Sequence, residues 1–448
     1  MTGHNGRGRW LAVLTLMLLV VSPLIFMSDG RVSAQEPTIK MWLDITGGAE
    51  TADCIVATAI EPYNAQGGPQ VEATLQANNW DSTRTAIAGG AGPDVIGTPG
   101  PSFAVQLAKA GQLVPLDEIA NQYGWGERFV PWALDLGKVN GQLYSIPSEI
   151  ETLVLYYNAT LFAEKGWEPP TTMDELMTLA TEIDAAGIIP FAHANAEWRP
   201  TNEWFVGEFF DKVAGSDKVY GALTGTVPWT DPAFVDAINR LNEMQQNGWF
   251  MGGLDRYYTA TTDERWSAFA EGTAAMNIEG SWAMQEVGSF FGEEAGNSSE
   301  WGWVPVPSLS GEASYNLGIG QTYSINKNSE NVEAVAKFFD YYFSPEAQAA
   351  LVTECGLPPA PVELNPEDLS SLDPRHAELL QALNDASAAN NYGYTTWTFW
   401  PPATETYLIE EVEKVWAGDV TAEEYLQGHQ ERFDEERAEG LVPPIPSR

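Results

Sequence analysis

Cysteine and histidine are nearly absent: two cysteines, Cys54 and Cys355, and four histidines, His4, His193, His376 and His429, in 448 residues. Two sulfurs build no zinc site without imidazoles at ligand spacing, and these histidines are scattered singly, so a structural zinc module is excluded. The cysteines remain as a disulfide or as two inert thiols, and the residues alone leave both open. Basic residues are scarce too. Lys and Arg number 22 against 62 Asp and Glu, a net charge of −40, which repels phosphate backbones and anionic lipid heads and argues against nucleic-acid or membrane-surface partners. No acidic block is long enough to be a separate tail, so the charge reads as solvated faces. Also missing are H-E-x-x-H, G-x-S-x-G, a Walker A loop and an EF-hand loop. Gly318-Ile319-Gly320 lacks the third glycine of a dinucleotide fingerprint and reads as a tight turn.

What is present is apolar matter in quantity. The chain is 44% hydrophobic and 11% aromatic, enough for two large domains and far from a disordered profile. Arg7 and Arg9 precede an apolar run from Trp10 to Met27, then Val32 and Ala34 stand where an A-x-A-like cleavage site needs small residues. This order predicts a secretory signal over 1–34, with Pro23 breaking the run and the mature chain starting near Gln35; an uncleaved anchor is the alternative. No cysteine ends the signal, so no lipid attachment is expected there, and no later segment is a long charge-free apolar run. Removing 1–34 leaves 19 basic against 61 acidic residues, or −42.

Beyond the signal, strand and helix periods alternate. Strands are expected at Thr38 to Asp44, Val71 to Leu75 and Asp94 to Gly97, with helices at about Ala49 to Tyr63, Trp80 to Ala88 and Phe103 to Ala110. Such β-α-β units form parallel sheets that bind ligands at the carboxyl ends of their strands, which places the loops at 45–50, 78–81 and 98–102 near a ligand. Farther on, Lys138 to Ile146 reads as a hairpin and Thr152 to Tyr157 as an apolar strand. Thr172 with Glu175, and Thr421 with Glu424, form capping boxes that open helices, and Ser344-Pro345 opens another.

Two kinds of residue carry chemistry. Glu149 and Glu151, at i and i+2, share one face if their stretch is extended. A glycosidase would need two carboxylates across a bond, so a secreted carbohydrate-active enzyme using Glu149 or Glu151 is one reading. The other kind is tryptophan, of which there are 17. Trp80, Trp198, Trp204, Trp282, Trp397 and Trp400 lie beside glycine or polar residues, and a flat indole paired with carboxylates suits the apolar face and hydroxyl rim of a sugar ring. Core burial is the competing role for any one of them.

The order Gly92-Pro93-Asp94-Val95, Gly111-Gln112-Leu113-Val114-Pro115-Leu116, Gly141-Gln142-Leu143-Tyr144-Ser145-Ile146-Pro147 and Leu155-Tyr156-Tyr157-Asn158 resembles the extracellular solute-binding proteins of sugar ABC transporters, the maltose-binding-like family. Phe269 to Met276, Gly280-Ser281-Trp282 and Phe343-Ser344-Pro345-Glu346-Ala347-Gln348 continue the resemblance, which runs from about Thr38 to about Pro361. It implies an α/β, two-lobed periplasmic-binding-protein fold with a ligand cleft between lobes and hinge crossings near Ser145 to Glu149, Pro305 to Gly311 and Pro358 to Pro361. The expected lobes are 36–145 with 312–361, and 146–311 with 362–448.

The resemblance also implies site residues. Trp282 matches the family's sugar-stacking position and Glu151 its hydroxyl-binding carboxylate. Glu149 departs from the aromatic residue often found there, Glu50 follows the first strand, and Thr98 stands where relatives often carry an acid. Trp80, Trp204 and Trp397 complete the expected ligand contacts, while Asp94 is expected to bind nearby backbone. The implied function is capture of a carbohydrate and its delivery to ABC permease subunits by a monomeric, extracytoplasmic protein that has no catalytic residues, metal or cofactor. The same fold binding a non-sugar solute is the further alternative. Because the resemblance returns 344–361 to the lobe that holds the first helix, a Cys54–Cys355 disulfide is expected there, with Cα atoms within about 7 Å.

Overall fold

The computed structural model describes residues 37–44, 49–77, 79–197 and 199–447. The signal segment, most of the 45–50 loop, Asn78 and Trp198 therefore lie outside the described residues. The described residues form twelve strands: β1 (Thr38–Asp44), β2 (Gln70–Gln76), β3 (Val95–Thr98), β4 (Lys138–Val139), β5 (Gln142–Leu143), β6 (Ser145–Glu151), β7 (Leu153–Asn158), β8 (Ile189–Phe191), β9 (Ala274–Gly280), β10 (Trp301–Pro305), β11 (Tyr315–Ile325) and β12 (Tyr392–Tyr394).

The first sheet runs β12-β11-β3-β1-β2, with β6 also on β11. β1 pairs parallel with β2 and β3, as the alternating β-α-β pattern predicts. β11 then enters antiparallel to β3 and β6. The second sheet runs β10-β7-β9-β8. Every position of β9 is buried, on both faces of the strand, including the polar Asn277 and Glu279, the latter paired with Arg265. The β4–β5 hairpin turns on Asn140 and Gly141, both at positive φ (53° and 79°), which is the Asn-Gly chemistry of a two-residue turn.

Helix starts follow the sequence signals. The side chains of Thr172, Thr261 and Thr421 each accept a hydrogen bond from the backbone N–H of a glutamate three residues on, whose carboxylate in turn accepts from the threonine N–H. Ser344 caps Pro345–Cys355 through the Ala347 amide. Asp94 binds backbone as expected, accepting from the Lys40 amide at 2.8 Å and from Ser329.

Two large apolar cores flank β6 and β11. One packs under the first sheet around Ile39, Met41, Phe338 and Phe339 and includes Ile146, Tyr323 and Ile325. The other packs around the second sheet and includes Leu317 and Ile319, with Ile150 against it. Both strands thus pass from one core to the other, in opposite directions, side by side. Pro359 runs beside them, its carbonyl accepting from Ile150 N at 2.8 Å. The stretch 305–311 differs from the crossing expected of it. It is bonded within the second-sheet half, where Ser308 accepts from Met173 N (2.9 Å) and Leu309 donates to Lys212 O (2.9 Å). The chain leaves that half along β11 instead.

Cys54 and Cys355 form a disulfide with Cα atoms 5.7 Å apart, closing 301 residues of chain. It ties the helix Glu50–Ile55 to the helix Pro345–Cys355 beside the first-sheet core.

Candidate functional site

Gly318-Ile319-Gly320 is strand rather than turn, and it shapes the site. In the β6–β11 ladder Glu151 lies opposite Gly318 and Glu149 opposite Gln321, with an irregularity between Ile319 and Gln321 that leaves Gly320 as an extra residue. A Cβ built on Gly320 would lie 2.0 Å from Glu151 Oε2, and one on Gly318 would lie 1.6 Å from Thr395 Oγ1. The two glycines therefore yield the space that a carboxylate and a threonine occupy. Sequence reasoning missed this because a lone G-x-G carries no pairing information.

The carboxyl groups of Glu149 and Glu151 hydrogen-bond to each other, so one of them carries the proton. Glu151 is 7% exposed. Burial pushes the Glu149 carboxyl up to about 7, against the opposing effect of the bond to Glu151. Burial likewise holds Glu151 well above the usual carboxylate range, and the neighbouring Glu149 charge adds to it.

Trp282 follows the end of β9 in a short 3₁₀ turn, Ser281–Ala283. Ser281 N donates to Thr152 O at 2.9 Å and Thr152 N donates to Ser281 Oγ at 3.3 Å. The residue after Glu151 is thereby stitched to the residue before Trp282. The indole folds back over Gly280, where a Cβ would meet the ring at 2.2 Å. Trp204, from the helix Thr201–Phe209, packs edge-on to Trp282 with ring centroids 4.9 Å apart, and Trp397, from the 3₁₀ turn Thr396–Thr398, packs edge-on at 6.2 Å. All three indoles are half-buried.

A buried carboxyl holds this trio in place. Glu203 accepts from Thr396 Oγ1 at 2.9 Å and Trp400 Nε1 at 2.5 Å, so the residue before Trp204 grips the residue before Trp397. Burial raises its pKa to about 8, while the two hydrogen bonds oppose the rise. Gly207 lets the helix approach, since a Cβ there would lie 1.9 Å from Thr396 Oγ1. On the other side Thr395 N donates to Leu317 O (3.0 Å) and Ile319 N donates to Thr398 Oγ1 (3.1 Å), which fixes the Trp397 turn beside the glycines of β11.

The structure thus brings together Glu149, Glu151, Trp204, Trp282 and Trp397. Thr98 pairs with Thr322 of β11, next to the Gln321 that faces Glu149, while Trp80 and Glu50 stand on the helices that follow β2 and β1. Trp80 is half-buried and packs edge-on against Phe103 at 4.7 Å, a partner the sequence reading did not single out. Thr98 is 1% exposed, and its hydroxyl is engaged by Gly100 O at 3.0 Å and Thr322 Oγ1 at 2.5 Å. Glu50 is exposed in the first turn of its helix. Trp400 is fully buried and serves the core. A separate concavity of about 380 Å³ lies at Trp167 and the helix Met173–Ala185, lined by Glu168, Asp174, Glu175 and Glu182. It shares no residue with the indole trio, and Glu175 there is occupied in its capping box.

Residues 49–349 match the model of the bacterial extracellular solute-binding proteins, two thirds of the chain. The chain belongs to that family. The matched span includes Glu149, Glu151, Trp204 and Trp282, while Trp397 lies beyond it. Among curated relatives of this solute-binding protein, the sn-glycerol-3-phosphate-binding periplasmic protein UgpB of Rhizobium meliloti is 24% identical over 76% of this chain and 79% of its own length. The multiple sugar-binding protein of Streptococcus mutans is 25% identical over 53% of this chain and 56% of its own length. A solved chitin oligosaccharide binding protein superposes with a TM-score of 0.76 at 21% identity, covering 90% of this chain and 99% of the other, which establishes the two-lobed α/β fold. No helix among the described residues is long and apolar enough to cross a membrane.

Proposed function

We propose that this solute-binding protein captures a carbohydrate between its two lobes outside the cytoplasm and hands it to the permease of an ABC importer without turning it over. The observation that carries this reading is the cluster of three half-buried indoles stitched, through Thr152 and Ser281, to the strand that carries the half-buried Glu149 and the buried Glu151. Indole faces match the C–H face of a pyranose, and carboxyl groups match its hydroxyls as acceptors or donors. The lobes would be 36–145 with 312–361 and 146–311 with 362–448, the second crossing shifted into β11, and the cluster would then lie beside the β6 and β11 crossings. Trp282, Trp204 and Trp397 would supply stacking surface and Glu151 and Glu149 hydrogen bonds. Trp80 with Phe103, together with Thr98 and Glu50, would belong to the facing wall. Closure about the crossings would give the permease a liganded shape to recognise. Export by cleavage after residue 34 and action as a monomer complete the proposal.

Binding without catalysis is favoured by the carboxyl geometry. A glycosidase pair stands about 5–9.5 Å apart across the scissile bond, whereas Glu149 and Glu151 lie on one strand and bond to each other. An organophosphate solute is disfavoured at this place, since a phosphate would meet two carboxyls and no paired cation. Calorimetric titration with a panel of mono- and oligosaccharides and sn-glycerol-3-phosphate tests the reading. Binding of a sugar without products on prolonged incubation supports it; hydrolysis, or binding of the phosphate alone, overturns it.

A further inference from the structure

Glu149 and Glu151 form a carboxyl pair with no cation. Among the described residues no lysine, arginine or histidine forms an ion pair with either, and the charges acting on them are their own. Their remaining titratable neighbours are two phenols, Tyr323 of β11 and Tyr342 of the helix Val332–Tyr342. Other buried carboxyls have donors, as Glu279 pairs with Arg265 and Glu436 accepts from Ala403 N, Thr404 N and Thr404 Oγ1, whereas Glu405 is pushed up to about 8 by burial and by the neighbouring Glu203 and Glu436 charges. Among the described residues, the Glu151 carboxyl, though nine-tenths buried, bonds only to the other acid.

Placing two acids side by side out of water is unfavourable unless a proton or a cation lies between them. Gly320 makes the arrangement possible by leaving its Cβ position to the Glu151 carboxyl. The stitch from Thr152 to Ser281, and that from Ile319 to Thr398, bring Trp282 and Trp397 to the same edge of the ladder. Buried carboxyls next to indole faces are the surroundings in which an ammonium group is stabilised twice, by charge-assisted hydrogen bonds and by the ring quadrupole.

Resting on the carbohydrate reading above, we infer that the solute is a sugar bearing a protonated amine, held with its ammonium at Glu149 and Glu151 and its ring against the indoles of Trp282, Trp204 and Trp397. An ammonium brings its own donors. Both carboxyls can then ionise, and the proton that bridged them passes to solvent, so binding releases protons to the buffer. A neutral hydroxyl in the same place leaves the proton where it was. The site thereby discriminates amine from hydroxyl and from acetamide, which is uncharged and bulkier.

The test is calorimetric titration of the full mature chain at about pH 6.5, below the range of an amine weakened by electron-withdrawing neighbours, for which the α-amino value of about 7.7–8.0 is the guide. The probes are glucosamine, galactosamine and short glucosamine oligomers, each set beside its N-acetyl and its hydroxyl counterpart. In at least one set the amine should bind about tenfold or more tightly than both counterparts, which is about 1.4 kcal/mol. Repeating that titration in buffers of different ionisation enthalpy should show net proton release, and Glu149→Gln should reduce both the preference and the release. If neutral members bind as tightly as amines in every set that binds, the amine inference falls and the carbohydrate reading survives. If no sugar of any kind binds, both fall. The ligand comparison is made on the unaltered protein, so it holds even if the variant does not fold.

Discussion

Gly320→Ala tests the geometry on which the site depends. The added methyl would lie 2.0 Å from Glu151 Oε2, 2.1 Å from its Cδ and 2.2 Å from its Oε1. Carbon and oxygen do not approach so closely, so the carboxyl must move by an ångström or more. Gly320 is not among the positive-φ glycines, so alanine meets no backbone strain there and the whole effect is steric. Overpacking of this kind costs about 1–3 kcal/mol when the surroundings cannot yield. Here the obstacle is the end of a side chain, so the lower part of that range is expected. The functional effect should be larger. Swung away from Glu149, Glu151 loses the position its sugar contact requires, and loss of a charge-assisted hydrogen bond lowers sugar affinity by about 1.5–3 kcal/mol, roughly 10- to 150-fold. Urea unfolding and calorimetric titration on the same preparation give both quantities. Unchanged affinity in a folded Gly320→Ala protein would refute the placement of Glu151 in the site.

Trp282→Ala should weaken sugar binding by about 2–4 kcal/mol, as for a buried aromatic anchor, while costing stability only about 1–3 kcal/mol for two edge-on ring pairs; titration set beside melting curves separates the two. The raised carboxyls make stability depend on pH. Glu149 (about 7) and Glu203 (about 8) bind protons more tightly folded than unfolded, so their contribution is present below about pH 4.5 and is lost as pH rises through 7 and 8. Urea midpoints should therefore fall across that window, and Glu203→Gln should flatten its upper part; a midpoint that rises there contradicts the burial of both groups. Reduction of Cys54–Cys355 opens a loop of 301 residues and should lower stability by about 2–5 kcal/mol, seen as a lower melting temperature in reductant with the ligand affinity little changed.

Local signals in the sequence were strong where they rest on adjacent residues. The β-α-β run, the hairpin within Lys138 to Ile146 and the capping boxes at Thr172 and Thr421 depend on spacings of a few positions, and each formed at its expected place. The disulfide followed from the family resemblance rather than from spacing. The i, i+2 placement of Glu149 and Glu151 gave their shared face once β6 proved extended. What sequence could not show is contact between segments far apart. Trp204, Trp282 and Trp397 were six-way candidates with Trp80, Trp198 and Trp400, and nothing local marks Trp397 as a neighbour of Trp282 or Trp400 as core. The decisive partners are Glu203 with Thr396, separated by 193 positions, and Gly320 with Glu151. Gly318 and Gly320 look like turn residues until the strand beside them supplies a carboxyl and a threonine to fill the missing side chains. The 305–311 prolines looked like a crossing for the same reason: proline marks a break in a segment, and only tertiary hydrogen bonds say which core the break belongs to.

The central claim is capture of a sugar by the indole and carboxyl cluster, and its most direct test is titration of the purified chain with a saccharide panel followed by tryptophan fluorescence. Saturable binding of at least one sugar is expected, with a change in indole emission that Trp282→Ala largely removes and no sugar product after prolonged incubation. Sugar binding with emission and affinity unaltered in a well-folded Trp282→Ala protein, or no sugar binding at all, would contradict it.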